Sequence, residues 1–297
     1  MRVGSVRACF LSATQTHTHS PFEHLPRHFS STPNLNLPSR PLDPRLNRLG
    51  PLIKDDFATI RANYRAPRYP IVLAHGLLGF DEISLAGSFF PRMQYWRGIK
   101  EALSARGIQV VTTAVPPLAS IEQRAVVLDN EIKSEVGKSP INVVAHSMGG
   151  LDARYLISSL RPKDQLNIKS LTTVATPHRG SSFADFIFRE IGEQNVSRVY
   201  KLFARLGLDS GAFSQLTRKY MEETFNPANP DDPTIRYFSY GAQFSPSLWS
   251  MFRFSHGVIE GIEGPNDGLV SVQSSRWGAD GYKGTLDGVS HLDLINW

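Results

Sequence analysis

Ala145-His146-Ser147-Met148-Gly149 carries the plainest chemistry in the chain, a serine between small residues directly after the largely β-branched run Ile141-Asn142-Val143-Val144. A strand that turns sharply into a helix holds such a serine in a strained backbone conformation. The positions two before and two after it must then be small to clear neighbouring backbone. Ala145 and Gly149 meet that demand, with alanine where glycine is the commoner choice. An isolated Ser-x-Gly is more often an ordinary turn, so the flanks decide. Leu151 to Ile157 follows as a good helix former with Leu151, Tyr155 and Leu156 toward one side, which completes the order strand, small-Ser-small, helix.

A serine hydroxyl is a weak nucleophile at neutral pH and needs a histidine to take its proton and a carboxylate to orient that histidine. For a serine on a strand-to-helix turn the expected chain order is Ser, then Asp or Glu, then His. Asp267, in Asn266-Asp267-Gly268-Leu269-Val270, sits in a turn-forming setting before an apolar segment, and His291 is the only histidine after it. His256 is a rival base but precedes every favoured acid, while Asp287 and Asp293 are rival acids four residues before and two after His291. His75, His146 and His178 lie beside small or turn residues and read as packed, hydrogen-bonded side chains. A developing oxyanion needs two backbone donors. Met148 N–H, next to the serine, is one; Leu77 N–H in His75-Gly76-Leu77-Leu78-Gly79 is the other, with Gly76 permitting close approach.

The elements that must hold these groups alternate. Tyr69 to Ala74 reads as a buried strand, Trp96 to Ala105 as a helix closed by Gly107, and Ile108 to Val115 as the next strand. Ile121, Ala125, Leu128, Ile132 and Val136 mark one face of a longer helix that Gly137 stops. Strands at Leu171 to Ala175 and Thr234 to Tyr240 follow. Such alternation predicts an α/β fold, a mostly parallel central sheet covered by helices on both faces. Residues from about 181 to 225 break the pattern and read as a helical insert rich in Phe and Leu. Phe244 to Phe254 reads as an unusually apolar loop. Both stretches are open to two readings, core packing or a cap over an apolar pocket.

With 297 residues, 41% of them apolar and 20% charged, the chain suffices for one large globular domain. No apolar run reaches the length of a membrane span, so any membrane contact is expected to be peripheral. The single cysteine, Cys9, excludes an intramolecular disulfide and a cysteine zinc site. Most of the net charge of +5 lies in residues 1–48, which hold six Arg, no Lys and two acids. The remainder has no basic excess to bind nucleic acid. Residues 1–48 are rich in Ser, Thr, Pro, His and Arg, which predicts a disordered mitochondrial transit peptide, with Arg27-His28-Phe29-Ser30 resembling a processing site; a tail without an address is the alternative. Residues 49–297 are then the folded domain.

Tyr69 to Asp81, Tyr95-Trp96, Ala145 to Tyr155, Thr176-Pro177-His178-Arg179-Gly180-Ser181, Asn266 to Val270 and His291-Leu292-Asp293 occur in an order that resembles the α/β-hydrolase-fold triacylglycerol lipases, the fungal mitochondrial group and more distantly bacterial lipases. The resemblance covers residues 69 to 297. It implies hydrolysis of acylglycerol esters at a lipid or membrane interface, with Ser147, Asp267 and His291 as triad, Leu77 and Met148 amides as oxyanion hole, and the insert as a lid. It implies no cofactor. The bacterial relatives bind a structural calcium partly through an acid two residues after the catalytic histidine. Asp293 matches that position, but no downstream ligands follow before Trp297, so no metal is expected. Acyl transfer through the same acyl-enzyme and a non-catalytic lipid-binding role are the alternatives. Oligomeric state has no sequence signal.

Overall fold

The chain divides into two units, Met1–Pro41 and Leu42–Trp297. A computed structural model describes residues 50–53, 65–77, 95–96, 98–160, 166–189, 210–278 and 280–295, all in the second unit. The expected transit peptide, the stretch from Leu78 to Asp81 and residues 190–209 of the expected lid lie outside the described residues.

Seven strands, β1 (Leu52–Ile53), β2 (Ile71–Ala74), β3 (Val110–Thr112), β4 (Pro140–His146), β5 (Asn167–Val174), β6 (Arg236–Gln243) and β7 (Tyr282–Asp287), form one sheet. Their order is β1-β7-β6-β5-β4-β2-β3, and every neighbouring pair is parallel. Parallel neighbours need long crossovers. Here these carry α1 (Ile99–Ser104), α2 (Ile121–Val136), α3 (Gly149–Tyr155), α4 (residues 182–189), α5 (Ser210–Gln215), α6 (Arg218–Tyr220), α7 (Asn226–Ala228), α8 (Arg253–Ile262) and α9 (Val272–Ser275).

Both faces of the sheet are buried at β2 and β4, which is why these two strands read as nearly continuous apolar runs. Val72 and Ala74 of β2 join Val143 and Ala145 of β4 in a core closed by Ala125, Leu128 and Ile132 of α2. Leu73, one residue out of phase, meets Tyr95, Trp96 and Ile295 on the opposite face. α2 begins in a capping box, Ser120 and Gln123 each accepting the other's backbone N–H, and ends at Gly137 with φ 59°.

From β2 the chain steps outward to β3, returns past β2 to β4, and then runs through β5, β6 and β7 in the other direction. The order therefore reverses between β2 and β4. In open parallel sheets the crevice at such a reversal, outside the carboxyl ends of the strands, is where ligands bind.

Several boundaries differ from the sequence expectation. α1 starts at Ile99 because Gly98 is left-handed at φ 74°, and α3 loosens after Tyr155 into a π-turn over Leu156–Leu160. β1 and β7 were not expected; β7 is a polar strand with Gly284 where a Cβ would lie 2.7 Å from Pro51 O. The C-terminal part of the insert belongs to the core: Ala212, Met221 and Phe225 are buried with Ile121, Met148 and Leu151. In the Phe244 to Phe254 stretch, Leu248, Trp249 and Met251 are exposed instead of packed, and Arg253 opens α8.

Candidate active site

Ser147 follows the last residue of β4, two residues before α3 begins, with φ 54° in the left-handed region. A non-glycine residue is rare there and is held by its surroundings. Ser147 N–H donates to Val174 O at 2.9 Å, and Thr176 Oγ1 donates to Ser147 O at 2.8 Å. The need for small neighbours is now explicit. A Cβ on Gly149 would lie 2.6 Å from His75 O, and one on Gly150 would lie 2.2 Å from Thr176 Oγ1. Ala145 is fully buried between Ala74 of β2 and Thr173 of β5, so its methyl is core packing.

Asp267 and His291 come together across 24 residues of chain, His291 Nδ1 lying 2.7 Å from Asp267 Oδ2, both side chains buried. The carboxylate is pinned from the other side, Oδ1 accepting Leu269 N–H at 3.0 Å and Val270 N–H at 2.8 Å. Asn266 builds this turn: its Oδ1 accepts Gly268 N–H and its Nδ2 donates to Gly264 O. His291 N–H donates to Asp267 O at 2.8 Å, and Asp293 Oδ2 accepts Ser290 N–H at 2.9 Å, which ties the histidine's own turn. The His291 ring lies 4.6 Å from the ring of His146, the residue before Ser147.

Gly76 sits against Ser147; a Cβ there would be 2.6 Å from Ser147 Cβ. Its carbonyl is clamped. Arg124 Nη2 donates to His75 O at 2.8 Å and to Gly76 O at 3.2 Å, and His75 Nδ1 reaches Gly76 O at 2.9 Å. His75 Nε2 accepts Val115 N–H at 3.1 Å, so Nδ1 carries the proton. Burial and the Arg124 charge hold the His75 pKa down at about 4, which keeps the ring neutral in that role. Because N–H and C=O are anti across a trans peptide, Leu77 N–H points away from the clamp. Gly76 N–H is itself taken, donating to Tyr95 Oη at 2.9 Å, and Tyr95 Oη lies 2.6 Å from His146 Nδ1. Burial raises the Tyr95 pKa, while burial and His291 push that of His146 well down. The pair is therefore neutral, with the tyrosine proton on the side of Nδ1.

Arg124 is fully buried and is held by Asp152 of α3, Nε and Nη2 meeting Oδ2 at 2.9 and 2.8 Å. Burial pushes the Asp152 carboxyl up to about 6 against the opposing pull of Arg124. One ion pair thus ties the loop after β2 to the helix after the serine. Neither residue was singled out from sequence, although Arg124 lies three residues after Ile121 on the apolar stripe of α2, where a charge demands a buried partner. Tyr95 was noted only for its resemblance.

The rivals are occupied elsewhere. His256 Nε2 lies 3.0 Å from Phe244 O, and Asp287 Oδ1 accepts Gln243 Nε2–H at 3.0 Å. His178 is buried between Thr173 Oγ1 at 2.9 Å and the face of Trp277 at 4.8 Å. Among the described residues no group of three or more His, Cys, Asp or Glu is placed to hold a metal.

Residues 109–208 match the serine esterase family DUF676. Among solved structures, a Staphylococcus hyicus lipase superposes with a TM-score of 0.59 at 20% identity, over 80% of this chain and 91% of that one. A Bacillus licheniformis lipase in mature form does so at 0.60 and 20%, over 79% and 89%. These share the fold. Triacylglycerol lipase 2 of Saccharomyces cerevisiae is 37% identical over 82% of this chain and 84% of its own length, and a triacylglycerol lipase of Vibrio cholerae is 31% identical over 80% and 83%. Identity of that extent across both chains reflects descent as well as shape, and the chain belongs to the triacylglycerol lipase family of α/β-hydrolase-fold enzymes.

Proposed function

We propose that the enzyme cleaves acylglycerol esters through an acyl-enzyme on Ser147. The observation that carries this is the buried Asp267–His291 pair at 2.7 Å, its imidazole lying against the residue that precedes a left-handed serine. With Nδ1–H directed at Asp267, His291 Nε2 has the lone pair that takes the Ser147 proton as Oγ bonds to the ester carbon. The carbonyl π electrons pass to oxygen, and the Leu77 and Met148 N–H groups stabilise the resulting oxyanion by donating hydrogen bonds to it. Collapse expels the alcohol, which takes the proton back from His291. Water then repeats the sequence and releases the fatty acid.

Ser147→Ala is expected to lower kcat on a triacylglycerol emulsion by roughly a millionfold, and Asp267→Asn by about ten-thousandfold. Full turnover by the alanine variant would overturn the assignment. A fluorophosphonate probe should label the wild-type chain on Ser147 alone.

The substrate of the named relatives is a water-insoluble ester, and the same class is proposed here, met at a lipid surface. The composition of residues 1–48 supports a mitochondrial address. Uptake and shortening of the full chain by isolated mitochondria, lost when residues 1–48 are deleted, is the expected outcome; unprocessed protein outside the organelle would refute it.

A further inference from the structure

Between Gln243 and Glu260 the chain contains no acid, and Arg253 is its one formal charge. Within that stretch Leu248, Trp249, Met251 and Phe254 are 74, 96, 78 and 63% exposed. Isolated exposed apolar side chains are ordinary, but four within seven residues form a patch that marks a contact surface. Leu248, Trp249 and Met251 project from a turn in which Ser250 N–H donates to Ser247 O at 3.2 Å, and Phe254 from the first turn of α8 that follows.

The tip is exposed but its base is fastened to the acid-bearing turn. Phe252 is buried against Gly268, where a Cβ would come within 2.7 Å of the phenylalanine Cβ. Phe244 N–H donates to Asn266 O, and Asn266 Nδ2 donates to His256 O. On its flank, Phe254 meets Phe183 and Phe186 of α4 edge-on at 6.2 and 5.6 Å, and the Arg189 guanidinium lies 5.7 Å from the Phe186 ring.

We propose that this Leu248–Phe254 ridge is the surface by which the enzyme docks on anionic lipid, its apolar tip inserted among acyl chains and Arg253 and Arg189 at head-group level. Charge and shape favour lipid over a protein partner. Side chains this exposed, around an open apolar recess lined by Leu248, Trp249, Met251 and Phe254, suit a fluid phase that closes around them. Trp with flanking Arg suits the boundary between acyl chains and head groups. No carboxylate on the ridge opposes an anionic surface. Docking there brings Asp267 and its turn to the lipid side of the molecule, since the two share Phe252, Phe244 and Asn266 as framework.

The proposal rests on acylglycerol hydrolysis for the purpose of docking and not for the docking itself, so binding is read on the full chain carrying Ser147→Ala. That protein is mixed with phosphatidylcholine vesicles with and without phosphatidylglycerol, beside the same chain bearing Leu248→Ser, Trp249→Ser and Met251→Ser, whose fold is checked by circular dichroism and melting. Sedimentation with vesicles, stronger with the anionic lipid, and a drop of about tenfold or more in partitioning for the triple variant are expected. A blue shift of tryptophan emission on vesicle addition should disappear in Trp249→Phe. With Ser147 restored, the triple variant should lose emulsion hydrolysis in parallel while retaining turnover of a dissolved short-chain p-nitrophenyl ester. Unchanged sedimentation of the triple variant would overturn the proposal. So would a concentration-dependent dimer that the variant dissolves, without any vesicle effect, because the ridge would then serve a second copy of the chain. Were the esterase reading wrong, both ester activities would be missing while sedimentation still reported on the ridge.

Discussion

Tyr95 joins two segments of the candidate site through one buried hydroxyl. Its hydroxyl accepts Gly76 N–H at 2.9 Å and faces His146 Nδ1 at 2.6 Å, joining the loop after β2 to the residue before the serine. With that amide consumed and the Gly76 carbonyl clamped by Arg124, Leu77 N–H is the donor of the loop directed away from the clamp. Tyr95→Phe removes one oxygen and orphans two buried groups, each costing roughly 1–3 kcal/mol. A loss of about 2 kcal/mol or more in denaturant unfolding is expected, with kcat falling about tenfold to a hundredfold and KM nearly unchanged, because a displaced donor weakens the transition state more than substrate binding. Reduced stability with an unaltered kcat would make Tyr95 a packing residue only.

At the scale of elements, what could be read from sequence was what local chemistry determines. α2 was legible because its stripe of Ile121, Ala125, Leu128, Ile132 and Val136 and its stop at Gly137 are both local signals, whereas the Ser120–Gln123 capping box that starts it was not read. The β4–Ser147–α3 turn was legible for a related reason: the steric demand of the turn acts on Gly149, two residues past the serine, inside one short stretch of chain. β7 was not legible, since Tyr282-Lys283-Gly284-Thr285-Leu286-Asp287 has neither an apolar run nor a clean alternation, and it is a strand because β6 and β1 flank it. α1 was misjudged by three residues because a glycine at φ 74° lies inside an otherwise helical pattern. The Arg124–Asp152 clamp was missed for a different reason. Its members stand 28 residues apart on different helices, and only packing reveals that each is the other's counter-ion. Asp267 and His291 were found by chain order, whereas the amides that pin Asp267 required the folded turn.

Across the whole molecule, the parallel sheet delivers every group of the candidate site to one edge, with His75 to Leu77 after β2, Ser147 after β4, Thr176 after β5, Asp267 in the connection after β6 and His291 after β7. Packing them there buries three further histidines, and this carries a cost with acid. His75 is held at about 4, and His146 and His178 well below the ordinary 6.5, burial being the largest cause for each. As pH falls below 6.5 the unfolded chain takes up these protons and the folded chain does not, so stability must fall, by up to about 1.4 kcal/mol per pH unit for each histidine. Asp152 acts in the opposite sense. With its carboxyl raised to about 6 from 3.8, the folded chain holds a proton that the unfolded chain releases within that interval, which favours folding as pH falls. Three groups against one leave a net loss of up to about 3 kcal/mol per pH unit between about pH 6 and pH 4. Urea unfolding near pH 7.5, 6 and 5 should show the midpoint dropping at constant slope, and His178→Gln should flatten the dependence by about one histidine's share. Stability that held level or rose between pH 6.5 and 5 would mean that these rings are protonated within the folded chain, and that His146 adds a charge beside His291 instead of a neutral neighbour.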